Sequence, residues 1–110
     1  NLVNLQSIHL VFSQSSQMDD LWLENLGKMI GNLKLLEKLR LDLSRCQEFS
    51  DVGLEKFGKY LESLICLKEV VIFFQRHNRM TETGIQTIRE RLIKLKGPDL
   101  VSIDIKRFQV

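Results

Sequence analysis

The stretch Leu39-Arg40-Leu41-Asp42-Leu43-Ser44-Arg45-Cys46-Gln47-Glu48-Phe49-Ser50-Asp51-Val52-Gly53-Leu54 changes its hydrophobic period part-way along. From Leu39 to Leu43 an apolar residue stands at every second position, the pattern of a β-strand with one buried face. From Leu54 the apolar residues continue as Phe57 and Leu61, offsets of three and seven that fall on one face of an α-helix. The start of that helix is marked chemically. Ser50 is a good N-cap, Asp51 follows where the helix dipole favours negative charge, and Phe49 stands where a hydrophobic staple onto Leu54 begins. One strand followed by one helix is therefore the unit.

The unit recurs without insertion or deletion. Leu2, Leu33, Leu64 and Leu95 are 31 residues apart, as are Leu5, Leu36 and Leu67, with Pro98 breaking that column. Ile8, Leu39, Val70 and Val101 form the next column, followed by Leu10, Leu41, Ile72, Ile103 and by Phe12, Leu43, Phe74, Ile105. Helix faces repeat as Leu23, Leu26, Ile30, then Leu54, Phe57, Leu61, then Ile85, Ile88, Leu92. Each has its own start signal: Asp19, Ser50 and Thr81 as N-caps, Asp20, Asp51 and Glu82 behind them, and Met18, Phe49 and Met80 as staples. Roughly twenty residues separate successive strands, too many for a hairpin and enough for a helix, so the strands are expected to be parallel with crossover connections. Strands are predicted at about 8–12, 39–43, 70–74 and 101–105, and helices near 20–31, 51–63 and 82–94. A fixed period of this length separates a repeat array from a doubly wound sheet.

The 110 residues are read as one α/β domain spanning 1–110. The chain opens at Asn1 inside a repeat and no helix follows the final strand, so a segment of a longer array is expected. Repeat arrays need polar terminal caps, and the end units lack them, which predicts marginal stability or self-association for the isolated piece.

The block from Leu39 to Leu54, followed by Phe57 and Leu61, resembles the leucine-rich repeat family, nearest to its ribonuclease-inhibitor-like and cysteine-containing types. Units of those types pair a strand with a full helix and carry a segment similar to Ser50-Asp51-Val52-Gly53-Leu54. The resemblance covers the whole chain, about three and a half units. The 31-residue unit is longer than the roughly 20 to 29 usual for the family. Trp22 stands where later units have Gly53 and Gly84, and the asparagine or cysteine of the turn is present only as Cys46. What the resemblance implies is a curved solenoid, with its parallel sheet on the concave face and its helices on the convex face, whose usual work is protein binding.

Sixteen Lys+Arg against fourteen Asp+Glu leave a net charge of +2, too little for a dedicated nucleic-acid or membrane-surface binder. No long uncharged apolar run is present, so no membrane span is expected. Two cysteines are too few for a disulfide scaffold, which points to a reducing, cytoplasmic compartment. Cys46 and His77, 31 apart, are the one nucleophile-and-base candidate, but their column offers only Ser15 and Phe108 as a third group. A zinc site fails on counting, because Cys66 and His9 occupy columns other than that of Cys46 and His77. The glycines lie in or near helices and not in a phosphate-binding loop after a strand. No enzyme activity, cofactor or metal is expected.

Residues 31 apart should be lateral neighbours about 4.8 Å apart, which turns the sequence into a surface map. The strand residues facing away from the core form the columns His9, Arg40, Val71, Ser102 and Val11, Asp42, Phe73, Asp104, with Ser7, Lys38, Glu69, Leu100 at one end. Val71 and Phe73 are apolar on a face otherwise polar. They are the expected anchors of a protein interface, ringed by Arg40, Asp42, Glu69 and Asp104. A second candidate is a basic strip of Arg45, Arg76, Arg107 and Lys106, suited to phosphates or an acidic protein patch. The function expected is a non-catalytic protein-interaction module binding a protein partner, or adjacent repeats, through the concave strand face. The alternatives are a structural subunit held through the ends of the array and, behind it, nucleic-acid binding by the arginine strip.

Overall fold

A computed structural model describes residues 4–12, 18–43, 49–75, 79–96 and 102–108, with the backbone alone at 75, 95–96 and 102–108. Strands and helices alternate: β1 (Ser7–Val11), α1 (Asp20–Gly31), β2 (Lys38–Leu43), α2 (Asp51–Leu61), β3 (Glu69–Gln75), α3 (Glu82–Lys96) and β4 (Ser102–Phe108). The strands form one four-stranded sheet in chain order, and every neighbouring pair is parallel. The chain is thus an α/β protein with a parallel sheet, as the long strand-to-strand connections require.

The 31-residue offset sets the register of the first two pairs. Leu10 lies opposite Leu41 and Leu41 opposite Ile72. Side chains of one parity point to the helices. Leu39, Leu41, Leu43, Val70, Ile72 and Phe74 join Leu23, Leu26, Ile30, Leu54, Phe57, Leu61, Ile85, Ile88 and Leu92 in one core. Each such side chain taken fully out of water stabilises the fold by roughly 1.5–3 kcal/mol. Four aromatics cross the units beside this core: Phe12 meets Trp22 edge-on at 4.9 Å, Trp22 stacks on Phe49 at 5.9 Å, and Phe49 meets Phe74 edge-on at 6.2 Å between centroids.

The last pair departs from the expected register. Val70 lies opposite Ile103 and Ile72 opposite Ile105, an offset of 33 in place of 31. At the earlier helix-to-strand turns Leu36 N donates to Leu33 O at 2.9 Å and Leu67 N to Leu64 O at 3.2 Å. Pro98, in the same column, has no N–H with which to repeat that bond. The helix before it is also longer, 15 residues against 12 and 11. A slip of two residues leaves the alternation along β4 intact, because the side-chain period is two, and it sets Ile103 and Ile105 opposite Val70 and Ile72.

Adjacent units are locked at their helix N-termini. The Asp20 carboxylate accepts a hydrogen bond from Ser50 N at 2.7 Å and a second, short one from the Ser50 hydroxyl. Asp51 repeats this on Thr81, accepting from its backbone N at 2.8 Å and its hydroxyl at 2.7 Å. Each carboxylate therefore grips the N-cap of the next helix while that cap serves its own helix: Ser50 Oγ accepts from Val52 N and Thr81 Oγ1 from Gly84 N. A Cβ at Gly53 would lie 2.3 Å from Asp20 Oδ1, and one at Gly84 2.3 Å from Asp51 Oδ1. These glycines make room for the carboxylate of the preceding unit. In the first unit the same position holds Trp22, and Asp19 caps α1 by accepting from Trp22 N at 3.0 Å.

Candidate functional site

The sheet face opposite the core is where the sequence places the binding residues. Parallel sheets are usually covered on both faces, yet β1 and β2 here alternate between core-facing residues and residues open to water. Lys38, His9 and Arg40 are exposed, Asp42, Glu69 and Phe73 are half-buried, and Val11 is 68% exposed. The columns of the map are assembled across the first three strands: Ser7, Lys38, Glu69, then His9, Arg40, Val71, then Val11, Asp42, Phe73.

Two expectations need correction. Val71 does not present an apolar surface, for it is only 7% exposed. It is a short side chain on an interior strand, with β2 paired on one side at Arg40 and β4 on the other at Asp104. The slip of β4 moves the last column entries, so Asp104 stands opposite Val71 and Lys106 opposite Phe73, while Ser102 and not Leu100 stands opposite Glu69. Of the basic strip, Lys106 and Arg107 fall within β4, opposite Phe73 and Phe74 in register. Arg45 and Arg76 lie outside the described residues, as do Cys46 and His77.

A second feature was not read from the sequence. At the β1 edge an apolar recess of about 460 Å³ is lined by Leu10, Phe12, Trp22, Asn25, Leu26 and Met29. Leu10 and Phe12 belong to the strand columns and Leu26 to a helix face, so the recess is the core continued to the end of the sheet. Its signal in the sequence is Trp22, the one break in the glycine position shared by Gly53 and Gly84. The carboxylate grip has its own signal, Asp followed by Ser or Thr at 30 and Gly at 33 residues, found twice as Asp20, Ser50, Gly53 and Asp51, Thr81, Gly84.

Among the described residues no three His, Cys, Asp or Glu side chains converge as metal ligands would, and no helix is long and apolar enough to cross a membrane. No family model, curated protein or solved structure matches this chain.

Proposed function

We propose that the chain is a segment of a leucine-rich repeat solenoid that binds a protein partner, without catalysis, through the sheet face opposite its helices. The observation that carries this reading is the uncovered face of a parallel sheet, with Val11 and Phe73 set among Lys38, Arg40, Asp42 and Glu69. Mixed charge around a few apolar groups suits a protein surface: the apolar groups supply desolvated anchors and the charges set orientation. The repeat reading is supported by the recurring carboxylate grip and by the 31-residue register of the first three strands. With two cysteines and Cys66 a free thiol, the module suits a reducing, cytoplasmic setting.

Site-specific photocrosslinking tests the face. A crosslinker at Arg40 or Val11 captures a discrete protein partner, whereas one at Lys56, on the helical side, does not; capture from Lys56 alone would place binding on the helices and sink the proposal. Against the captured partner, Phe73→Asp should weaken binding by about 2 kcal/mol or more.

A further inference from the structure

The β1 edge differs from every other junction in the molecule. Phe12 N donates to Asp42 O, and Gln6 O accepts from Glu37 N and Lys38 N. Even-numbered residues of β1 thus turn their peptide groups toward β2, and Ser7, His9 and Val11 turn theirs outward, where no described strand meets them. Beside this row, which pairs with no strand among the described residues, lies the recess of Leu10, Phe12, Leu26 and Met29. Trp22 stands at the position of Gly53 and Gly84, where a Cβ comes too close to a gripping carboxylate, so α1 lacks the room by which α2 and α3 are gripped.

We propose that this edge pairs with itself: two copies of the chain join antiparallel through β1 about a twofold axis, each closing the other's recess. Charge decides the occupant. Exposed edges are normally protected by lysine or other charges, and β4 contains Asp104, Lys106 and Arg107, whereas β1 (Ser7-Ile8-His9-Leu10-Val11) has no Asp, Glu, Lys or Arg. The recess lining is likewise uncharged, Asn25 being its single polar member. Two such edges meet without like-charge repulsion and without desolvating an ion, whereas β1 against a β4 edge would bring three charged residues to an uncharged strand. In the antiparallel pair His9 stands opposite His9 of the second copy and Ser7 opposite Val11, so the three outward residues of each copy all find partners. The axis is normal to the sheet, which puts both helical layers on one side and sets Met29, 60% exposed in one chain, against the second copy's recess. An isologous contact of this kind closes on itself and stops at two chains.

Analytical ultracentrifugation of the 110-residue chain from micromolar to submillimolar concentration tests this. A reversible monomer–dimer equilibrium is expected. Val11→Pro removes one outward N–H without touching a β1–β2 bond and should raise the dissociation constant about 100-fold, as proline on an edge strand blocks further pairing. Met29→Glu should do the same by placing a charge in the recess. Leu21→Glu, at a residue 63% exposed on α1 and outside the recess, should leave the equilibrium unchanged. A chain monomeric throughout overturns the proposal, as does a dimer indifferent to both Val11→Pro and Met29→Glu. Open-ended oligomers also overturn it, since they require a head-to-tail contact. If Val11→Pro alters the circular dichroism, Met29→Glu decides alone. The proposal concerns the edge and not the open face, so its failure leaves the photocrosslinking result standing.

Discussion

The junction between the first and second units and the junction between the second and third are alike at one end and unlike at the other. At the helix N-termini both use an aspartate carboxylate, a hydroxyl-bearing N-cap and a glycine. Further along the helices they diverge. A Cβ at Gly27 would lie 3.2 Å from Phe57 Cα, and one at Gly31 3.2 Å from the Tyr60 carbonyl oxygen, so α1 rests against the backbone of α2. One repeat later, Gly58 faces only the side chain of Ile88, and the places of Gly31 and Tyr60 are taken by Glu62 and Arg91, which form an ion pair. A contact held by close backbone approach has been exchanged for one held by charge. Register is therefore set at the gripping end, where hydrogen-bond geometry is specific, and the far end tolerates a change of chemistry.

The largest expected effect breaks the tight junction alone. Gly27→Leu must push α1 away from backbone and should cost about 3 kcal/mol, whereas Gly58→Leu meets a side chain that can rotate and should cost less than half of that. Urea denaturation of the two variants measures the difference, and equal losses would mean that the two junctions are packed alike.

Next comes the shared end. Gly53→Ala displaces the Asp20 carboxylate and should cost about 2 kcal/mol through the lost bonds to Ser50. In an Asp20→Gly background, which also removes the Asp20 Cβ that would meet the new methyl, the same change should become stabilising by up to about 1 kcal/mol, because alanine is the better helix former. A double-mutant cycle reads this reversal of sign, and simple additivity would show that glycine is not there for the carboxylate. The smallest effect belongs to the charged junction: Arg91→Met should cost no more than about 1 kcal/mol, since Arg91 is 38% exposed, and the loss should shrink in high salt.

Much of this architecture was legible in advance. The apolar columns placed all four strands and all three helices to within a few residues, because a fixed period averages out local ambiguity. The N-caps were legible for the same reason, since Asp19, Ser50 and Thr81 each precede an acidic first turn. Asp20 and Asp51 were read only as helix-dipole partners. That reading omits their bonds to the next cap, which exist only once two units stand side by side. The slip of β4 was hidden because a two-residue shift leaves alternation intact. Val71 was misplaced because alternation assigns a face and says nothing of how exposed a residue on that face is. Of the open face, Val11, Arg40 and Lys38 were legible as exposed; the recess was not, since it forms only where β1 and α1 pack together around Trp22.

The carboxylate grip also bears on how the chain reaches this structure. Its hydrogen bonds join residues 30 apart, and among the described residues contacts between elements join strand to strand and helix to helix of adjacent units, with α3 against β4 besides. Each unit added therefore closes a loop of the same length, and loop-closure entropy grows only with the logarithm of that length. Folding that starts at the glycine-lined α1–α2 pair meets one barrier of forming a first junction and then a series of equal, smaller steps. Lengthening the chain by further units of this design would add steps without raising the first barrier, so folding speed would follow the best single pair and not the size of the whole.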